Sequence, residues 1–390
     1  MRAYVWTDRS LTRHAGRFVW LSLDFEKTKN ARARRKLGIS AFPTLYVVDP
    51  ADTHVVIRWL GGASLPQLER LFDDGELAVK GGARGPALEA LMAAHRAYGA
   101  ERHAEACGHY VRALSLAPED WPGYPLAVES LMFAYMQADS AEPSVRLADT
   151  AWPRLRRTPS AAIVASLALD AAVELPDSAP GRRNWLSRYE AACHEVLQEE
   201  AGVLLADDRS GVFFSLEAAR EAVGDSAGLL TLRERHLAML EAEADRAEEP
   251  EKRAVYDSHR LTLYLELGRP EKAIPMLERS QRDFPGDYNP PQRLATAYKA
   301  MKRWPEALAA STEAMSRAYG PRQFLVFNTR ADIQLGMADT LAARQTLVTA
   351  LALAEKMPEG LKSASTIRSL KARLEKLGVK PGSAKADAAR

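Results

Sequence analysis

Cys107 and Cys193 are the only thiols in this 390-residue chain. A thiolate is the nucleophile of disulfide exchange and a soft metal ligand, but both roles need a partner at close spacing. Neither cysteine has one. Both fall in helical stretches far apart in sequence, which reads as two buried free thiols, with a disulfide between them as the alternative. His194-Glu195 opens a metallopeptidase-like pattern and lacks its second histidine. The chain shows no phosphate-binding Walker loop, no G-x-G-x-x-G and no G-x-S-x-G, so no cofactor and no metal is expected. What remains are residues that act through backbone shape. Phe42-Pro43-Thr44 holds an X-Pro bond whose trans preference is only about 0.5–1 kcal/mol, small enough for a fold to lock it cis. Gly61-Gly62 ends an apolar run and reads by itself as a strand-end turn.

The elements around these residues alternate in type. FVWLSLD (18–24) is a short apolar run that reads as a buried parallel strand. NARARRKLGI predicts a helix closed by Gly38. Ser40-Ala41-Phe42-Pro43-Thr44 then leads into LYVVD, Asp49-Pro50-Ala51-Asp52 makes a turn, HVVIRWL returns, and SLPQLERLFDDG predicts a helix.

This order resembles the later part of a thioredoxin domain. The resemblance covers residues 1–74, with Met1, Val5, Trp6, Asp8 and Leu11 matching the stretch that follows a Cys-x-x-Cys in one thioredoxin subgroup. It implies a cis Pro43 and a peptide groove formed by Phe42, Pro43, Thr44, Gly61 and Gly62. It also implies a central strand lying between 18–24 and 44–49 and preceding the cysteine pair. Three outcomes stand open. The true start codon lies upstream, 18–24 pairs directly with 44–49, or a partner donates a strand.

After the Gly/Pro-rich stretch KGGARGP (80–86) the pattern turns helical. Tyr264 aligns with Tyr298 and Ala273 with Ala307, both at an offset of 34. A small residue, a large one four later and a small one three after that recur at Ala106/Tyr110/Ala113 and Ala343/Leu347/Ala350. Small residues at a helix crossing let two helices approach, and prolines such as Pro118 stop the second helix. This repeat is similar to the tetratricopeptide (TPR) repeat, a 34-residue helix–turn–helix. The match is good over 255–320, fair over 85–120 and 322–358, and poor over 121–250. Breaks are expected at 176–182, 206–211, 224–228, 285–291 and 357–360.

The expected architecture is therefore a partial α/β thioredoxin-like lobe (1–78), a linker (79–86), degenerate helical hairpins (87–250), TPR-like hairpins (251–378) in an all-α superhelix, and a disordered tail (379–390). A composition of 47% apolar and 27% charged residues with a net charge of +2 is that of a globular chain and gives no general case for nucleic acid. The basic run at 32–36 lacks interleaved aromatics. The most apolar run, AAIVASLALDAAVEL, is too short to cross a membrane and is interrupted by Asp170 and Glu174. The expected function is a protein-interaction module that is redox-inactive as written, binding a protein or peptide through the first helices of its hairpins, with Tyr264, Arg293 and Lys299 as candidate contacts. The alternative is a thioredoxin-type thiol–disulfide oxidoreductase whose cysteine pair lies upstream of Met1 and whose repeats recruit partners. The chain as written would stay in the cytoplasm.

Overall fold

From Pro86 onward, apolar side chains at helical spacing and turns every 12 to 20 residues produce one helical hairpin after another. The computed structural model describes residues 5–37, 39, 42–80, 85–198 and 204–379. Met1, Gly38, Ser40, Ala41, linker residues 81–84 and tail residues 380–390 lie outside them. Contacts group the chain into two units: Met1–Arg17 with Leu37–Leu240, and Phe18–Lys36 with Glu241–Arg390.

The first unit holds an antiparallel hairpin, β1 (Thr44–Val48) and β2 (Val55–Leu60), in the register Thr44↔Leu60 and Val47↔Ile57. Its turn is closed by the Asp49 N–H donating to the His54 carbonyl at 3.0 Å and by Asp49 Oδ1 accepting from Ala51 N–H at 2.8 Å. The helix after Gly62 is longer than expected, running Leu65–Lys80, into the first two residues of the expected linker. A short helix precedes the hairpin at Ala31–Leu37, so in chain order that helix is α1 and Leu65–Lys80 is α2. Gly75 of α2 lies so close to β1 that a Cβ there would sit 2.8 Å from both methyls of Val47. A 3-10 turn, Arg9–His14, packs on α2 through the Arg13–Glu69 ion pair and the His14–Phe72 ring contact, and Arg17 just beyond the turn pairs with Asp73 at 2.8 Å.

Four hairpins follow: α3 (Pro86–Gly99) with α4 (His103–Leu116), α5 (Tyr124–Gln137) with α6 (Ala141–Leu155), α7 (Ala161–Glu174) with α8 (Arg182–Gln198), and α9 (Ala206–Ala222) with α10 (Ser226–Arg246). β2 packs directly on α3. There the buried Arg58 lays its guanidinium 4.2 Å from the Tyr98 ring centre, and its backbone N–H reaches His95 Nδ1 at 3.3 Å.

In the second unit, α11 (Pro250–Ala254) precedes α12 (Asp257–Glu266), α13 (Ile274–Asp283), α14 (Asn289–Ala300), α15 (Trp304–Arg317), α16 (Gln323–Gly336), α17 (Thr340–Lys356) and α18 (Ala364–Lys376). The small–large–small positions 106/110/113, 273/277/280 and 343/347/350 are all buried at helix crossings. At 307/311/314 a serine, Ser311, takes the large position and turns its hydroxyl onto the Leu308 carbonyl at 2.9 Å.

Six of the turns share one closure, whereas the α7–α8 turn is closed by bonds three residues back, Ala179 N–H to Pro176 and Arg182 N–H to Ala179. An N–H bonds the carbonyl five residues back at Arg102→Ala97, Ser140→Tyr135, Asp225→Arg220, Arg269→Tyr264, Arg303→Tyr298 and Asp339→Gln334, all between 2.7 and 3.0 Å. The residue before each of these has positive φ: Glu101, Asp139, Gly224, Gly268, Lys302 and Ala338. This is the Schellman arrangement, which satisfies carbonyls left free at a helix end. It recurs within 121–250, where the sequence repeat fades.

Three expectations are corrected. Residues 18–24 form no strand and do not pair with 44–49; among the described residues the sheet has two strands, fewer than the resemblance implies. A strand needs a neighbour for its ladder groups. Lacking one, the run leaves Val19 and Leu21 89% and 76% exposed. Residues 206–211 are no break but the opening turns of α9, where Asp207 and Asp208 favour the helix dipole. Pro290 and Pro291 likewise do not interrupt α14 but begin it, where a missing N–H costs nothing.

Candidate functional site

The hairpins set their first helices side by side, α5 on α7 and α7 on α9. Each carries an acid. Glu129 on α5 is buried, with Oε1 lacking any hydrogen-bond partner. Burial pushes its carboxyl up to about 7; Ser160 opposes this as a hydrogen-bond donor, and the charge of Asp208 adds to it. On α9, Asp208 is pushed up to about 6 by burial and by Asp207. Asp170 on α7 rises to about 6 by burial, against a hydrogen bond from Ser215. No cationic side chain among the described residues acts on Glu129 or Asp170. All three are thus poorly solvated carboxyls on neighbouring helices, Glu129 within reach of the Asp208 charge, and their anionic form would be stabilised by a cation. The signal was in the sequence as an acid inside an apolar helix, visible at Asp170 and equally at Glu129 in YPLAVESLMFAYM.

Further along, α9 and α10 hold a second polar group. Ser210 Oγ lies 2.7 Å from His236 Nε2, and His236 Nδ1 lies 2.8 Å from Glu217 Oε1. The order hydroxyl–imidazole–carboxylate is that of an acyl-transfer relay. Ser210 and His236 are wholly buried, and the Phe213 ring stacks on the imidazole at 4.8 Å. No substrate carbonyl reaches Ser210 through that packing, so the relay ties α9 to α10. Spacing alone could not have found it, since the three residues span two helices.

The residues singled out from sequence separate into those gathered and those not. Phe42, Pro43, Thr44, Gly61 and Gly62 meet at one end of the β1–β2 hairpin. The Phe42–Pro43 bond is cis, the Gly61 N–H donates to the Pro43 carbonyl at 2.9 Å, and Trp59 Nε1 donates to the Gly62 carbonyl at 2.9 Å. Phe42 is exposed. Tyr264, Arg293 and Lys299 fall on α12 and α14 but are engaged within the protein. The Tyr264 ring is buried with its hydroxyl on Glu241, and Lys299 Nζ binds Asp332 at 3.0 Å. The Arg293 guanidinium is pushed below its usual pKa by burial, with Asp257 and Asp287 opposing the shift. Tyr264 and Arg293 therefore do not present themselves to a partner. Cys107 and Cys193 are both free and buried, and burial raises both thiols. Asp49, Asp52 and His54 bring ligand atoms within 4.8 Å of one another, but the carboxylates already hold the hairpin turn, Asp52 Oδ1 accepting from the His54 N–H at 3.0 Å.

No protein-family model matches the chain, and no curated protein does. Among solved structures, the chain is similar to a TPR2AB-domain:pHSP90 complex of yeast Sti1, at 18% identity and a TM-score of 0.29, over 75% of this chain and 98% of that one. It is also similar to yeast Tom70, at 11% identity and a TM-score of 0.18, over 74% of this chain and 96% of that one. At these scores the fold rests on the chain's own hairpins and their repeated closure. Among the described residues, no helix is long and apolar enough to cross a membrane.

Proposed function

We propose that the chain is a protein-interaction module of tetratricopeptide type, whose first-helix row in the first unit receives a protein or peptide partner. The observation that carries this is the side-by-side packing of the first helices α5, α7 and α9, on which Asp170 and Asp208 are partly exposed carboxyls, pushed up by burial, that a cation would stabilise. A lysine or arginine side chain supplies that cation, and a desolvated ion pair of this kind makes a specific anchor. The test is titration of the purified chain with a fluorescein-labelled decapeptide alternating lysine and alanine, and with its acetyl-lysine counterpart. The lysine peptide should bind and the acetylated one should not. Asp170→Asn with Asp208→Asn should weaken binding at least tenfold, while neutralising exposed Glu271 leaves it unchanged. Equal binding of the two peptides would remove the reading.

A second reading, kinship to thioredoxins, is favoured by the order of α1, the β1–β2 hairpin and α2, with Pro43, Thr44 and Gly61 at one end. Its test is the reading frame upstream of Met1. A strand followed by Cys-x-x-Cys there would establish it, and a nearby stop codon would remove it. The chain itself should reduce insulin no faster than a dithiothreitol blank, because both thiols are buried and held protonated.

A further inference from the structure

Residues 18–36 leave the hairpin they adjoin in sequence and join the second unit. There a compact turn is held at its backbone and by its acids. Tyr319 donates its hydroxyl to Asp24 Oδ2 at 2.6 Å, and Arg322 pairs with Glu26. Lys27 Nζ lies 5.7 Å from the Tyr319 ring centre. Asp24 also accepts from the Glu26 N–H at 3.0 Å, and Asn30 Nδ2 donates to the Asp24 carbonyl at 2.7 Å, so the turn is preshaped. Two glycines of the receiving surface admit its backbone: a Cβ at Gly320 would overlap the Glu26 carbonyl, and one at Gly360 would overlap the Ala31 carbonyl. Burial works against the Asp24 charge, but the Tyr319 hydroxyl, the Glu26 amide and nearby Lys27 and Arg322 still hold that carboxyl below its usual range. The Tyr319 hydroxyl is correspondingly pushed up to about 12, first by its bond to Asp24.

The same segment exposes its apolar residues. Val19 and Leu21 stand in solvent just before the clamped acids. An apolar run that gains little burial adds little to the hold, so the attachment depends on the turn 24–31. We propose that Tyr319, Gly320, Arg322 and Gly360 form a recognition face for an acidic peptide turn with carboxylates two residues apart, and that Asp24–Ala31 occupies it as an internal competitor. A partner bearing such a turn displaces the segment, and binding frees the apolar run 18–23. This builds on the protein-binding reading. Its test is separable, because none of its variants touches Glu129, Asp170 or Asp208.

The probe is a fluorescein-labelled peptide of residues 22–31, followed by anisotropy with the full chain. Asp24→Ala with Glu26→Ala empties the face and should bind the peptide at least tenfold more tightly than the unaltered chain. Adding Tyr319→Phe and Arg322→Ala should cancel that gain. The swap Glu26→Arg with Arg322→Glu restores the internal pair with reversed sign and should exclude the peptide again, with the far-ultraviolet circular dichroism unchanged. A peptide with alanine at both acidic positions should not bind. No gain on emptying the face, or binding indifferent to Tyr319 and Arg322, overturns the proposal.

Discussion

Glu129 sits where water cannot reach its carboxyl, and the cost appears in its titration. An acid raised from 4.5 to about 7 in the folded chain binds its proton more tightly folded than unfolded. Its contribution to stability is fully present below about 4.5 and is lost as pH rises through about 7. Acidification from pH 7.5 to 5 should therefore favour the unaltered chain over Glu129→Gln by on the order of 2 kcal/mol, read as the difference between the two proteins' urea midpoints at each pH. Equal pH slopes would show that Glu129 is solvated. Gly75 is the other residue whose identity the packing dictates. Gly75→Ala gains roughly 1 kcal/mol of helix propensity. It also drives a methyl into Val47 at 2.8 Å, an overpacking of about 1–3 kcal/mol. The net expectation is a lower melting temperature, and a higher one would show that α2 can slide off β1.

Among the elements, the hairpin turns were legible in part. The carbonyls of Tyr264 and Tyr298, 34 residues apart, each accept the N–H that closes the turn, from Arg269 and Arg303, so the repeat seen in sequence is a repeat of backbone geometry. Only two of the six positive-φ positions are glycine, which is why the closure at Glu101 and Asp139 left no mark in the sequence. The others hold an L-residue in a conformation costing about 1–2 kcal/mol. Lys302→Gly should thus stabilise the second unit by up to about 1 kcal/mol, and Gly268→Ala, where no atom lies within 4 Å to clash, should destabilise it by a similar amount. Thermal denaturation of the two variants checks the opposed signs. The strand expected at 18–24 failed for a complementary reason. Its apolar composition states that it could be covered, whereas strand formation needs a particular neighbour, and β1 pairs with β2 instead.

At a larger scale, hairpins of the second unit stack, α15 packing on its own partner α14 and on α16 of the next hairpin. Stability in such a stack is a sum over units and nearest-neighbour faces. Ala307, fully buried on α15, is a contact point of this stack. Ala307→Leu overpacks it by about 1–3 kcal/mol. Hydrogen exchange should accelerate most in α14 and α15 and least in α18. Uniform acceleration across the second unit would mean that it opens as one block.

The sequence by itself determined the helices of the second half, the β-turn at 49–52, the returning strand and the small residues at helix crossings. Each depends on side chains within a few positions of one another, through helical periodicity, turn chemistry and local sterics. Tertiary structure alone decided that Glu129 comes within reach of the Asp208 charge, that Ser210 meets His236, which meets Glu217, and that Asp24 and Glu26 are held nearly three hundred residues away by Tyr319 and Arg322. Those pairings are set by which surfaces exclude water together, and no spacing along the chain encodes that.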